Sequence, residues 1–206
     1  DWSSDVCSSD LTKGLMAIED KHNRVFSSKD EGPDILGVGS NMVKAIRYYL
    51  QAFDLIEENT QTGCFLNKYG KAIVEYDKYI EDYFTLCLLH SKIASNEEKA
   101  TSWFLFFNQS GINEFTKDEI QEYLKKELFG KYGKEVPDSS IKDDVDVLLN
   151  MYSKVDSNLN PEEKMTCPFS KLGIIKKNGD VYIRREPDVN KISIDIVLYE
   201  LSLLVK

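Results

Sequence analysis

The 206-residue sequence has few cysteines, few histidines, few prolines and no long apolar run. Its four cysteines form no C-x-x-C pair and its two histidines, His22 and His90, lie far apart, so the spacing of a zinc site is absent. No stretch approaches the roughly 18 apolar residues that a membrane-spanning helix needs, and we therefore expect no membrane partner. We also expect no cofactor and no metal, and a reduced, cytoplasmic setting.

Positive charge is also scarce, because 26 Lys and Arg residues face 35 Asp and Glu residues and the formal net charge is −9. This balance excludes a protein that coats nucleic acid indiscriminately, since that function needs a strongly basic surface. The same balance is compatible with a local basic contact surface. The hydrophobic content of 42% and the charged content of 30% are those of an ordinary soluble globular protein.

Residues 1–11, DWSSDVCSSDL, show neither helical nor alternating periodicity and match the translation of a common sequencing adapter. We therefore expect this segment to lie outside the fold and the natural protein to be truncated there. A polar natural leader is the alternative. At the other end the apolar run 192–205 is expected to be helical, and its abrupt end suggests truncation there as well.

The clearest helix begins at Ser40 or Asn41, either of which can cap its first amides. Its apolar face carries Met42, Val43, Ile46, Leu50 and Phe53, and its polar face carries Lys44, Arg47, Tyr48 and Gln51. Two short apolar runs around a turn follow it, between 55 and 66. An amphipathic helix followed by a hairpin is typical of a winged helix, in which the helix enters the DNA major groove and the hairpin lies beside it.

The second half of the chain repeats this layout. Ser95 with Glu98 and Thr116 with Glu119 have the spacing of capping boxes, and each pair predicts a helix start. The runs LGIIKK and VYIRR flank Asn178-Gly179, which predicts a hairpin with a type I′ turn. We therefore expect a mainly α protein with minor β structure: winged-helix-like units at 12–78 and 116–206, around a helical, aromatic core segment at 79–115.

The run LGVGSNMVKAIRYYLQAFDLIEE at 36–58 resembles the bacterial family called domain of unknown function 4007. The resemblance extends to LLHSKIASNEEKATSWFLFFN (88–108), FTKDEIQEYL (115–124), SSIKDDVDVLLNMY (139–152) and PFSKLGII (168–175). The family's usual N-terminal segment, an aromatic-histidine-glutamate-threonine motif, is absent, which fits truncation. The resemblance implies a role in DNA phosphorothioate modification and phage defence, with DNA and other modification-system proteins as partners. It also implies similarity to the nicking component of the single-strand phosphorothioation (Ssp) system, without indicating which residues would cut.

Nine polar side chains are the candidate DNA contacts. On the helix they are Asn41, Lys44, Arg47, Tyr48 and Gln51, and on the second hairpin they are Lys176, Lys177, Arg184 and Arg185. Amide and guanidinium groups can pair with base edges, while lysine and tyrosine can hold phosphates. The plain alternatives are a solvated helix face and a charged hairpin that keeps a sheet edge soluble.

No catalytic constellation can be read from these residues, so enzymatic activity stays undecided and catalytic residues unknown. Asp143 and Asp144 are better explained by attraction to the positive end of a helix dipole than by a metal site. Two functional alternatives remain. One is a metal-dependent DNA nicking component whose active site is partly missing, and the other is a winged-helix protein–protein scaffold, because the charges between Gly37 and Glu75 cancel.

Overall fold

Helices dominate the computed structural model, which describes residues 8–27, 31–133, 135–153 and 167–204. The α-helices are α1 Ser8–Glu19, α2 Glu31–Leu36, α3 Ser40–Ala52, α4 Lys68–Tyr76, α5 Tyr83–Ser95, α6 Thr101–Phe104, α7 Lys117–Tyr132, α8 Asp138–Ser153 and α9 Ile194–Leu204. A π-helix spans Leu105–Gln109 and a 3₁₀-helix spans Pro168–Leu172. The strands are β1 Ile56–Asn59, β2 Gly63–Leu66, β3 Glu114–Thr116, β4 Ile175–Asn178 and β5 Val181–Arg184. The expectation of a mainly α protein with minor β structure is confirmed.

The helix predicted from Ser40 is α3, and its apolar face packs against α1 and α2. The two longer helices approach closely at Gly14, where an added Cβ would lie 2.6 Å from Ile46 Cγ2. The cap differs from the prediction: Gly39 is the N-cap residue and no side chain caps the first amides, so neither Ser40 nor Asn41 has that role. The antiparallel pair of β1 and β2 follows, as expected from the two apolar runs.

Aromatic rings form a series of contacts that runs from α3 to β5. Neighbouring centroids lie 4.9–6.3 Å apart in the pairs Tyr49–Trp103, Tyr49–Phe53, Phe53–Phe169, Phe169–Tyr152, Tyr152–Phe107, Phe107–Phe106, Phe106–Phe115 and Phe115–Tyr182. Such pairs add to the free energy of burial when they are offset or edge-on. One hydrophobic core therefore includes residues from both predicted units and from the aromatic segment between them.

The second sheet has three strands in the order β3-β5-β4, all antiparallel. Strand β3, which no sequence pattern indicated, is extended where it pairs with β5. The predicted hairpin is present, but Asn178 pairs with Val181, so Gly179 and Asp180 form the turn. Only Gly179 of these two has a positive φ, 63°, and glycine at the first central position is the requirement of a type II′ turn rather than the predicted type I′.

One of the two predicted capping boxes is confirmed. Thr116 N donates to Glu119 Oε2 at 2.7 Å, and Glu119 N donates to Thr116 Oγ1 at 3.4 Å. The box at Ser95 is wrong, because α5 ends there and Asn96 is its C-terminal cap. Asn96 Oδ1 accepts from Lys99 N at 3.1 Å while Asn96 Nδ2 donates to Ala52 O at 3.0 Å, so this side chain turns the backbone and ties it to α3.

Helix α1 begins at Ser8, within the segment that matches an adapter, and Leu11 is buried in the core. Residues 1–7 lie outside the described residues, and the origin of the segment stays a prediction. Over the described ranges, we find no helix that combines the length and the apolar character needed to span a membrane.

Candidate nucleic-acid interface

The outer surface of α3 holds the first five candidate side chains, and the structure places them in unequal settings. Asn41 and Lys44, in the first part of the helix, are exposed to solvent. Lys44, Arg47, Tyr48 and Gln51 border one small depression of about 100 Å³, which Phe26 and Val43 also line. Four of the five candidate side chains of α3 thus form one continuous surface, although not all of them face solvent.

Arg47 is held by an acidic residue of the neighbouring hairpin. Its Nε lies 2.7 Å from Glu58 Oε1 and its Nη2 lies 2.6 Å from Glu58 Oε2, so the ion pair is bidentate. The hydrogen bonds from Arg47 hold the pKa of Glu58 below its usual value, and Glu58 raises the pKa of Arg47. The Arg47 side chain remains 46% exposed, so a phosphate can still approach it.

Cys64 on β2 completes this cluster. Its Sγ donates to Glu58 Oε1 at 3.1 Å. Burial and the contact with Glu58 raise the pKa of the Cys64 thiol to about 12. Because the thiolate is the reactive form of cysteine, this thiol is inert and serves packing.

Tyr48 and Gln51 lie closer to the interior than the periodicity predicts. Burial is the main cause that raises the pKa of Tyr48, and the negative charge of Asp144 raises it further. The Tyr48 ring packs edge-on to Tyr49 with centroids 5.1 Å apart. Gln51 is half-buried and donates to Glu58. Both side chains therefore support the surface more than they present it to a ligand.

The second group of candidates lies on the β4–β5 hairpin and just beyond it. Lys176 and Lys177 are exposed neighbours on β4, so they project from opposite sides of the strand. Lys177 stands opposite Tyr182, with its Nζ 5.7 Å from the ring centroid. Arg185 is exposed and follows β5, and its backbone N–H donates to Ile174 O at 2.8 Å.

Arg184 has a structural role. Its Nη1 donates to Phe106 O at 3.2 Å and its Nη2 donates to Phe107 O at 2.6 Å, while its guanidinium lies over both rings. Burial lowers the pKa of Arg184. These bonds satisfy carbonyls of the π-helix, so the guanidinium is committed within the chain and is not offered to a phosphate as Lys176, Lys177 and Arg185 are.

A cavity of about 810 Å³, which we call the hairpin hollow, lies between this hairpin, the end of α8 and the 3₁₀-helix. Its described lining includes three cationic side chains and no carboxylate. The lining residues are Asn150, Tyr152, Ser153, Ser170, Gly173, Ile175, Lys176, Lys177, Gly179, Tyr182 and Arg185. Sequence reasoning identified the cations but not the hollow, because α8 and the hairpin meet only in the tertiary structure.

Two titratable groups that the sequence brought into consideration are explained by packing. Asp144 accepts from Ser102 Oγ at 2.5 Å, and burial raises its pKa, so contact with α6 accounts for it rather than the helix dipole. His90 Nδ1 lies 2.9 Å from Tyr152 Oη, and burial lowers its pKa to about 4. Within the described ranges, no group of three histidine, cysteine or acidic side chains is arranged to hold a metal ion.

The chain is similar in fold to two solved structures. One is named "Magnesium ion-bound SspB crystal structure", with 24% identity and a TM-score of 0.83, and the other "SspB crystal structure", with 23% identity and a TM-score of 0.82. In each comparison the match covers 96% of this chain and 62% of the solved chain, so this chain spans less than two thirds of their length. No curated protein matches. The model of the family "Protein of unknown function (DUF4007)" matches residues 8–206, and the chain therefore belongs to the DUF4007 family.

Proposed function

We propose that this protein is a DNA-binding component of a bacterial DNA phosphorothioate modification or restriction system, and that it contacts duplex DNA through the outer surface of α3. Membership of the DUF4007 family and the likeness to structures named SspB support the proposed system. The partners would be DNA and the other proteins of that system.

The observation that carries the DNA-binding proposal is the position of Asn41 and Lys44. Both are exposed at the beginning of an amphipathic helix whose opposite face is buried, and a β-hairpin follows that helix. In helix-turn-helix proteins the N-terminal residues of the recognition helix contact base edges. Arg47 lies farther along the same surface and retains an exposed guanidinium beside the hairpin.

Replacing Lys44 with alanine tests this surface. Loss of one phosphate contact should weaken duplex binding about three- to tenfold and lower the salt dependence by about one unit of slope. Fluorescence anisotropy with a labelled duplex at several salt concentrations measures both quantities. Because Lys44 is exposed, thermal unfolding should stay unchanged.

The matched control is Lys71→Ala, which removes the same charge from an exposed position on α4. Equal effects of the two substitutions would mean that bulk charge, and not the α3 surface, governs binding. Absence of duplex binding at low salt, together with co-purification of a protein partner, would instead favour the scaffold role.

The nicking alternative receives no support from the described residues. One of the two similar SspB structures is named as magnesium ion-bound, but the described part of this chain holds no cluster of three candidate ligands. We therefore assign no catalytic residue and derive no metal-dependent step here. Nicking by longer members of the family stays a prediction, testable by incubating supercoiled plasmid with such a protein and magnesium.

A further inference from the structure

The hairpin hollow shares no residue with the α3 surface, and all the charged side chains in its described lining are positive. Lys176, Lys177 and Arg185 border it, and its other described lining residues are neutral. The described lining of this cavity is therefore cationic, although the whole chain has nine more acidic than basic side chains.

These three cations are also uncommitted within the described part of the chain. Six other basic residues there form ion pairs with carboxylates, namely Lys13, Arg47, Lys92, Lys117, Lys125 and Lys131. Lys176, Lys177 and Arg185 form no such pair with a described residue, although Lys177 lies over the Tyr182 ring. Their charges are therefore available to an external anion.

Hydrogen bonds and a ring contact within the chain fix the positions of the groups around the hollow. Arg185 is anchored through its N–H to Ile174 O, and the Tyr182 ring stacks on Phe115 with centroids 5.9 Å apart. Ser153 Oγ donates to Leu149 O at 2.6 Å and Ser170 Oγ donates to Cys167 O at 2.9 Å. Both serine hydroxyls thus donate to carbonyls of the chain itself, and the charged lysine and arginine groups are left to donate to a ligand.

The spacing of these donors distinguishes a strand from a single anion. Lys177 stands opposite Tyr182, three residues before Arg185, so their backbone positions lie about 10 Å apart along the hairpin at roughly 3.3 Å per residue. Lys176 stands opposite Ile183, two residues before Arg185, so Lys176 and Arg185 project from one side of the hairpin and Lys177 from the other. Charges spread in this way fit successive phosphates better than they fit one small anion.

We propose that the hairpin hollow binds the sugar-phosphate backbone of a DNA strand, and that Lys176, Lys177 and Arg185 donate hydrogen bonds to its phosphates. This inference rests on the proposed function for the identity of the polyanion. Phosphate contacts fix the position of a protein on DNA without reading its sequence, so the hollow would hold the backbone while α3 contacts the bases.

The test is the double variant Lys177→Ala with Arg185→Ala, assayed by fluorescence anisotropy on two duplexes of unrelated sequence. We expect binding at least about tenfold weaker on both duplexes and a salt dependence lower by about two units of slope. The charge-preserving variant Lys177→Arg with Arg185→Lys should restore the affinity. The control Lys126→Ala with Lys142→Ala removes two charges from exposed positions on α7 and α8 and should leave the affinity unchanged.

Two results would overturn the inference while leaving the α3 proposal intact. The first is DNA binding that responds equally to the hollow variant and to its control, while Lys44→Ala still weakens it. The second is saturable binding of inorganic pyrophosphate that needs Lys177 and Arg185 but does not compete with DNA, because the hollow would then be a small-anion site. Absence of DNA binding by the unmodified protein would overturn both proposals.

Discussion

Replacing Glu58 with glutamine tests whether the chain's own carboxylate restrains Arg47. In the structure both oxygens of Glu58 accept hydrogen bonds from the Arg47 guanidinium, at 2.6 and 2.7 Å. Glutamine keeps the shape of the side chain and one acceptor oxygen for the Cys64 thiol, but it removes the negative charge. If α3 contacts DNA, this substitution should reduce stability and increase affinity at the same time.

The expected loss of stability is small. The Arg47 and Glu58 side chains are 46% and 24% exposed, so solvent screens their attraction, and the pair should contribute about 0.5–1 kcal/mol. Its pH dependence has a definite sign because Arg47 lowers the pKa of Glu58 in the folded protein. The contribution is present above the pKa of Glu58 in the unfolded chain and is lost as the pH falls through the lower folded value. The stability difference between the two proteins should therefore disappear in acid.

The expected gain in DNA affinity follows from releasing one guanidinium. A phosphate would no longer have to displace Glu58. A charge-assisted hydrogen bond contributes about 1.5–3 kcal/mol, and a guanidinium that is 46% exposed should supply only about 1–1.8 kcal/mol of this, which corresponds to binding roughly five- to twentyfold tighter. One additional phosphate contact should also steepen the salt dependence by about 0.9 units of slope. Fluorescence anisotropy at several salt concentrations measures both, and urea unfolding at pH 7 and in acid measures the stability.

Glu57→Gln is the matched control, because Glu57 is the exposed neighbour on β1 and its substitution changes the net charge equally. Equal gains in the two variants would show only the effect of overall charge. Unchanged or weaker DNA binding by Glu58→Gln, with the expected small loss of stability, would refute the assignment of Arg47 to the DNA-contacting surface.

Two further predictions concern stability. Gly63→Ala should lower the free energy of unfolding by about 1–3 kcal/mol or more, because Gly63 has a φ of 93° and an added Cβ would lie 2.2 Å from Asn23 O. Urea unfolding measures this loss. The control Gly130→Ala, at an unobstructed helical position of α7, should be neutral or stabilising. Asp144→Asn should raise stability at pH 7 and flatten the dependence of stability on pH, because burial raises the pKa of Asp144 in the folded protein. A carboxyl with a raised folded pKa makes the protein less stable as the pH rises from its unfolded pKa to its folded pKa. Thermal melts across that pH range measure the effect, and a steeper fall in stability in the variant would contradict the argument.

Features written in short stretches of sequence were predictable. The periodicity after Ser40 predicted α3, and the spacing of Thr116 and Glu119 predicted the start of α7. Both signals depend on groups within one or two helical turns of each other. Strand β3 escaped prediction because its three residues are extended through pairing with β5, far along the chain. Asn96 was missed for a similar reason, since its Nδ2 donates to Ala52 O at the end of α3, far back along the chain.

The candidate site divides in the same way. Its basic and amide residues could be named from local patterns, because charge and periodicity are properties of neighbouring residues. Which of those groups remains free for a ligand depends on distant partners: Glu58 holds Arg47, the carbonyls of Phe106 and Phe107 hold Arg184, and the hairpin hollow forms where α8 meets the hairpin. Packing decides which surfaces meet, and this in turn decides how each side chain is paired and buried. These contacts join residues that are distant along the chain, so local sequence patterns do not reveal them.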